Sequence, residues 1–502
     1  MTVPVQKHIL FHCIPGWGHY KPIFPLAAQI LASRPNVIIT VLAQVTMYAK
    51  LLAELDKLPL EVREDARARF NVIDITGVPQ NPMIPLLTFE PAFQAMYRGE
   101  PVKCLSSGKE YVLPKPTLSI MDPFCGYAIE AMRETAGNGF PIVTWGTFTA
   151  GSALQLFQKP GKEVDVQLLR YGTEEEVMPT MSQYIEEVTE QVVTIPGVPP
   201  MYEYEYYPQE IPLVGNIFVE IARKYIPTTD GIFVASSSAY DGKCIEALKE
   251  WFGTRGKDVY PVGPLALPEP PSSQEKSKEV VEFLDKMQAE HGEKSVIYMS
   301  FGTLFWPKNP EKVWAAIEEI LASGTPLIWA HPSPLCQVPE DKLKIFQDSE
   351  IAFEAQWVPQ EAILSHPATG WFISHGGWNS TQEAMLYRVP QVFWPQGADQ
   401  PQNAATVSFV HKAGLELIEV RSGEHGTKKP YRFKDADPKD LPTFTVEAVR
   451  REIRDVLNRL KGDEGLMMRK NFEKMSKEFL NGWDEGGEAK DSVERFLRKF
   501  VD

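Results

Sequence analysis

Ile9-Leu-Phe-His-Cys-Ile14 is a short apolar run stopped by Pro15-Gly16. That length and that ending suit a buried strand. Ile23 to Leu31 follows with apolar residues at helical spacing, and Val37 to Ala43 is a second, β-branched run. Strand, glycine turn, helix and strand open a parallel α/β unit. The same order restarts far downstream. Val296 to Ser300 reads as a strand, Phe301-Gly302-Thr303 as a turn, Trp314 to Leu321 as a helix and Leu327 to Ala330 as a strand. Two more strands are expected at Gly370 to Ser374 and Gln391 to Trp394. Between the restarts, residues 267–278 are proline-rich and then polar, which is the composition of a linker. A chain of 502 residues has room for two such domains.

Composition narrows the function classes. The net charge is −15, so the chain lacks the basic surface that nucleic acid or an anionic membrane demands. The five cysteines are odd in number and widely spaced, which points to reduced thiols rather than a disulfide frame or a zinc knuckle. No run reaches the roughly 18 apolar residues of a membrane-spanning helix. The opening residues lack the apolar core and cleavage site of a secretion signal. These features lead us to expect a cytoplasmic, monomeric protein with no integral membrane segment.

The chemistry-bearing stretch is Trp357-Val358-Pro-Gln360, then Ser365-His366-Pro367, then Ser374-His375-Gly376-Gly377-Trp378-Asn379-Ser380-Thr381-Gln382-Glu383, then Pro395-Gln396-Gly397-Ala398-Asp399-Gln400. A strand runs into a glycine pair and then a helix that Pro390 ends. The amides of a helix N-terminus beside small residues suit a diphosphate. Asn379 and Ser380 are good capping residues. Ser380 and Glu383 also have capping-box spacing, so Glu383 reads equally as a helix cap and as a ligand.

Taken whole, the stretch from Trp357 to Gln400 resembles the C-terminal signature of the UDP-glycosyltransferase family, the plant-type transferases of small molecules. The resemblance implies an α/β chain with two Rossmann-like parallel-sheet domains facing across a cleft, the GT-B fold. It implies an acceptor-binding domain over 1–264, a linker over 265–280 and a UDP-sugar domain over 281–480. A final helix, 481–502, would return to the first domain. Trp357 would stack on uracil, with Val358 and Gln360 placing the uridine. Glu383 would hold the ribose diol, and His375, Asn379 and Ser380 the diphosphate. Trp378, Asp399 and Gln400 would read the sugar, and Gln400 favours glucose. Ser300-Phe301-Gly302-Thr303 resembles a second phosphate loop, with Thr303 facing the β-phosphate. Gly376 is a departure, since the family often has cysteine there. The implied donor is a UDP-sugar, with no cofactor and no metal.

The base is sought in the other half. In Pro15-Gly16-Trp17-Gly18-His19 the histidine follows the first strand, where open α/β sheets place ligands. A histidine suits removal of a hydroxyl proton near neutral pH. The position matches the family's catalytic histidine, and the resemblance puts Gly18 at the donor. Asp122, in Met121-Asp122-Pro123, is the expected partner, although Asp before Pro is also an ordinary turn signal. Thr149 is a further candidate for the sugar. His8 and His12 read as structural. The cluster Tyr202, Tyr204, Tyr206 and Tyr207 reads either as a half-buried irregular segment or as an aromatic wall for the acceptor. Residues 97–116 read as a loop.

Two motifs point elsewhere. Asp435-Ala436-Asp437 has the spacing of a metal-holding pair but lies in a polar stretch and reads as a solvated loop. Asn379-Ser380-Thr381 is a formal glycosylation acceptor at a helix start, discounted in a chain without a secretion signal. The expected reaction is inverting, metal-independent transfer of a sugar from UDP to a hydroxyl of a small, aromatic or phenolic acceptor. The alternatives are a sterol or lipid glucosyltransferase and a non-catalytic nucleotide-sugar binder. A nucleotide-cofactor oxidoreductase lacks its glycine fingerprint here.

Overall fold

The computed structural model describes residues 6–57, 68–79, 88–172, 174–181, 188–211, 217–266 and 275–502. They form two compact units. The first takes the described residues of Met1–Glu186, Val214–Leu265 and Gly482–Asp502, the second those of Glu187–Leu213 and Ala266–Asn481. Residues 188–211, expected with the acceptor-binding domain, therefore fold with the second unit. The expected linker 265–280 begins at the boundary between units. Its middle lies outside the described residues, and from Glu275 onward it is the start of the helix Glu275–His291.

The first unit is built on β1 (Lys7–His12), β2 (Val37–Ala43), β3 (Phe70–Asp74), β4 (Leu118–Met121), β5 (Ile142–Gly146), β6 (Gly231–Val234) and β7 (Asp258–Pro261). They pair in the order β7-β6-β5-β4-β1-β2-β3, all parallel. All seven residues of β2 are buried, as a strand covered on both faces requires. The order reverses between β1 and β4, where His12 pairs with Met121. Within 97–116 the chain makes a small antiparallel hairpin, Val102–Lys103 against Glu110–Tyr111.

The second unit repeats the plan with β8 (Val296–Ser300), β9 (Leu327–Ala330), β10 (Ala352–Ala355), β11 (Thr369–Ser374), β12 (Gln391–Phe393) and β13 (Leu415–Glu416). Their order is β10-β9-β8-β11-β12-β13, again all parallel. Here the reversal falls between β8 and β11, and Ser300 pairs with Ser374. Trp306, Trp314 and Trp329 share one core cluster, with Trp314 edge-on to Trp329 at 5.4 Å.

The last helix, Glu488–Phe500, buries Ala489, Ser492, Val493, Phe496 and Leu497, a stripe at three- and four-residue spacing. Phe496 packs 4.7 Å from Phe233 of β6, and Asp502 pairs with Arg34 at 2.8 Å. The chain thus ends on the first unit.

His8 and His12 lie on β1 and are fully buried. His8 is 2.8 Å from the Thr40 hydroxyl, and His12 is 2.9 Å from the Leu42 carbonyl and the Tyr127 hydroxyl. Both are structural. Burial lowers each ring from 6.5 to about 4. The unfolded chain therefore takes up protons between those values that the folded chain refuses, and each ring erodes stability as pH falls from 6.5 toward 4. Asp241 and Glu452, raised by burial to about 6 and about 7, act in the opposite sense, so the effect is best read by difference. We expect the stability advantage of wild type over His12→Gln to shrink below pH 6.5, by at most about 1.4 kcal/mol per pH unit. Urea unfolding at pH 7.5 and 5.0 measures it, and a pH-independent difference refutes it.

Candidate active site

In each unit the candidate residues lie where the sheet reverses its order, at the carboxyl ends of two neighbouring strands. After β1 the chain turns at Pro15-Gly16 into the one-turn helix Trp17–Tyr20, which carries Gly18 and His19. Gly16 leaves room for the imidazole, since a Cβ there would lie 2.9 Å from His19 Cδ2. The Trp145 indole donates to the His19 carbonyl at 2.9 Å, and the Tyr20 hydroxyl donates to the Cys13 carbonyl at 2.8 Å. Asp122 follows β4 directly, and its amide donates to the carbonyl of His12. Its carboxylate is fully buried and accepts from the amides of Phe124 at 3.0 Å and Ile14 at 3.3 Å. His19 Nδ1 lies 2.7 Å from Asp122 Oδ2. A buried carboxylate needs such donors, and they aim it at the imidazole. Phe124 meets the same imidazole edge-on at 5.7 Å.

In the second unit, β8 ends at Ser300 and is followed by Phe301-Gly302-Thr303, while β11 ends at Ser374 and is followed by His375-Gly376-Gly377. His375 sits between the two turns. A Cβ on Gly302 would lie 2.8 Å from His375 Nε2, and one on Gly377 only 2.4 Å away. Both glycines are therefore required by the ring. Gly376 has φ +84°, and a Cβ would meet Phe393 at 3.0 Å. That conformation favours glycine and accounts for Gly376 where the family often has cysteine. Burial pushes His375 down to about 4, so at neutral pH it supplies a hydrogen bond rather than a charge.

The helix Trp378–Tyr387 starts at Gly377, which has no side chain to cap it. Asn379 and Ser380 lie inside the first turn rather than at the cap. The capping-box reading of Glu383 fails with it. Glu383 Oε2 instead accepts from the Gln360 amide at 2.6 Å. Gln360 opens the helix Gln360–Ser365, also donates to the Ser380 hydroxyl at 3.2 Å, and accepts from Tyr298 at 3.1 Å. Trp357, three residues earlier, keeps 47 % of its surface exposed, while Val358 is buried. Thr303 is exposed at the end of the β8 turn.

The remaining expected residues divide. Asp399 is half-buried and accepts from Asn403 at 2.8 Å. Gln400 is buried, and its side-chain oxygen accepts from the amides of Gln396 at 2.8 Å and Gly397 at 3.2 Å. It shapes its own turn. Trp378 is buried edge-on to Phe479 at 5.8 Å. Thr149 is buried and caps the helix Ala150–Phe157, accepting from the Ser152 amide at 3.1 Å. The tyrosine cluster is not a wall of the first unit: Tyr202 stacks on Tyr204 at 5.0 Å and meets Tyr431 at 5.2 Å, all in the second unit. Asp437 of the Asp-x-Asp accepts from the Lys439 amide at 3.1 Å, as a local turn cap.

The family described as UDP-glucoronosyl and UDP-glucosyl transferase matches residues 271–422. The UDP-glycosyltransferase eriJ of Hericium erinaceus is 29% identical over 95% of both chains. UDP-glycosyltransferase 71B5 of Arabidopsis thaliana is 24% identical over 99% of both. The chain is similar to the UDP-glycosyltransferase family. Its fold is that of the family's solved structures. Medicago truncatula UGT71G1, solved with UDP-glucose, matches at a TM-score of 0.69 and 21% identity over 99% of both chains. Phytolacca americana UGT2, solved with UDP-2fluoro-glucose and pterostilbene, matches at 0.67 and 20% identity over 99% of this chain and 100% of that one. Both show the GT-B arrangement of two parallel-sheet α/β domains.

Sequence reasoning missed two residues that hold the candidate site together. Tyr298 fixes Gln360. Asn403, fully buried, donates to both the Gly376 carbonyl at 2.9 Å and the Asp399 carboxylate at 2.8 Å, tying the turn after β11 to the turn after β12. Neither carries a sufficient local signal, because Tyr298 acts on Gln360 and Asn403 on Gly376, both distant in sequence. Among the described residues no helix is long and apolar enough to cross a membrane.

The pairing of Gln360 with Glu383 separates the ligand reading from the cap reading. Glu383→Ala should weaken UDP binding roughly 10- to 100-fold, the scale of hydrogen bonds to a charged group, and shift unfolding little. Calorimetric titration with UDP beside a thermal melt decides. Wild-type UDP affinity in a destabilised protein would make Glu383 structural and overturn the ligand reading.

Proposed function

We propose that this chain is a UDP-glycosyltransferase that moves a sugar, glucose by preference, from its UDP donor to a hydroxyl of a small aromatic acceptor, with inversion and without a metal. The observation that carries the proposal is the His19–Asp122 pair at the reversal point of the first sheet. Asp122 engages Nδ1, which assigns Nε2 to the acceptor proton. As Nε2 takes that proton, the acceptor oxygen attacks the anomeric carbon and the bond to the diphosphate breaks. Asp122 then stabilises the imidazolium without taking the proton itself. One displacement inverts the anomeric centre.

The departing diphosphate gains negative charge, and the start of the helix Trp378–Tyr387 meets it with backbone amides and the positive end of the helix dipole. Neutral His375 adds a donor. Trp357 offers an exposed face for uracil, and Glu383, oriented by Gln360, offers carboxylate oxygens to the ribose diol. Asp399 and the amide nitrogen of Gln400 serve the sugar. Acceptor chemistry is read from the first unit alone. Half-buried Phe124 and Phe218 meet edge-on at 6.1 Å, and Phe124 also touches the His19 ring. That apolar surface beside the base favours an aromatic ring over a sugar or a peptide. Pterostilbene, bound by the Phytolacca relative, is an aromatic molecule of this kind.

His19→Ala should reduce transfer at least 100-fold, the lower range for loss of a general base, while UDP affinity stays within about twofold. Mass spectrometry of a phenol and flavonoid panel with UDP-glucose reads the transfer, with EDTA present throughout. The anomeric proton coupling of the product should report the β-glucoside. An α-glucoside, or His19→Ala turnover equal to wild type, overturns the mechanism.

A further inference from the structure

Residues 201–211 come from a stretch of sequence flanked by the first unit, yet they lie against the loops that form the donor half-site. Three contacts place them. The Tyr206 hydroxyl donates to Gln402 Oε1 at 3.1 Å, and both residues are buried. Gln402 is in the helix Gln400–Ala405, directly after the turn that holds Asp399 and Gln400. Ile211 reaches the same turn from outside, its Cδ1 lying 3.5 Å from where a Cβ on Gly397 would stand. Glu210 accepts from the Lys308 amide at 3.1 Å and pairs with its ammonium at 2.6 Å. Lys308 lies five residues beyond Thr303, on the loop that follows β8. One short segment therefore touches both the loop after β8 and the turn after β12.

The segment is also firmly moored. Glu205 is buried and accepts from the Tyr202 amide at 3.0 Å, the Tyr431 amide at 2.8 Å and the Arg421 guanidinium at 3.2 Å. Arg421 in turn pairs with Glu416 of β13 at 2.9 Å. Gln209 donates to the Val420 carbonyl at 3.1 Å and accepts from the Ser422 hydroxyl at 2.7 Å. A buried ion pair of this kind adds little net stability but fixes one arrangement. Here it fixes Tyr206 and Ile211 against the sugar-reading turn.

We propose that residues 201–211 are a strap of the donor site and that Tyr206 is a positioning residue. It holds Gln402, and through it the Asp399–Gln400 turn, in the geometry that distinguishes one UDP-sugar from another. The proposal rests on the reading that Asp399 and Gln400 serve the sugar. The Tyr206 and Ile211 contacts fall on the turn after β12 and the helix that follows it, so their loss should be felt by the sugar and not by the nucleotide.

The test is Tyr206→Phe, which keeps the ring and deletes the hydroxyl. UDP affinity should stay within about twofold. Affinity for the preferred UDP-sugar should fall roughly 3- to 10-fold, the worth of one hydrogen bond. The kcat/KM ratio between UDP-glucose and UDP-galactose should narrow by a similar factor. Gln402→Met should give the same split, and the double variant no more than either single one, because both remove one interaction. Parallel loss of UDP and UDP-sugar affinity would make Tyr206 merely structural and overturn the proposal, as would no change in either. Gln400→Ala separates the two layers. If it leaves sugar discrimination at the wild-type level, the sugar-reading turn fails and the strap with it. If it relaxes discrimination while Tyr206→Phe does not, the strap alone fails.

Discussion

A parallel sheet whose strand order reverses must end two neighbouring strands side by side and send the chain away from each. The gap left at their carboxyl ends is where open α/β sheets bind ligands. This protein has one such point in each unit. β1 and β4 end together at His12 and Met121, and β8 and β11 end together at Ser300 and Ser374. Every residue assigned here to proton removal or to the diphosphate sits within a few positions of one of those four strand ends. The chemistry is anchored to the most regular part of the fold, where backbone hydrogen bonds fix the starting points of the loops.

What the loops add is over-determination. Asp122 could point several ways after a strand. Two backbone amides and the His19 imidazole leave it one. Glu383 is held by Gln360, which Tyr298 holds in turn. Asn403 spans two turns with one side-chain amide. Catalytic electrostatics depend on groups that need not reorganise during a reaction, and these contacts hold Asp122, Glu383 and the two turns in one arrangement. The glycines serve the same end from the opposite direction. Gly16, Gly302 and Gly377 remove atoms that would collide with an imidazole.

Much of this was legible in the sequence. Short apolar runs between glycine turns marked the strands: Val37–Ala43, Val296–Ser300 and Leu327–Ala330 have the expected bounds, and Thr369–Ser374 and Gln391–Phe393 differ by a residue at one end. A strand leaves a local signature because burial on both faces demands continuous apolar residues. The stretch from Trp357 to Gln400 was legible because its candidate residues are nearly contiguous. Less visible were the choices between two plausible partners. Ser380-x-x-Glu383 has the spacing of a cap, and only the approach of Gln360, 23 residues upstream, decides that Glu383 is used elsewhere. Thr149, a candidate ligand by resemblance, also caps its own helix, which its local sequence did not announce.

The tyrosines at 202–207 mark the limit most clearly. Their spacing and composition say only that aromatic rings with polar tips are present. The sequence determined the two parallel sheets, the turns that end their strands and the residue types available at each turn, because those depend on neighbours along the chain. Tertiary structure alone decided that Asp122 meets His19, that Asn403 joins two turns, and that the tyrosine segment folds with the second unit. Those outcomes depend on which distant groups share a buried volume. A buried hydroxyl or carboxylate must find its partner there, wherever in the chain that partner lies.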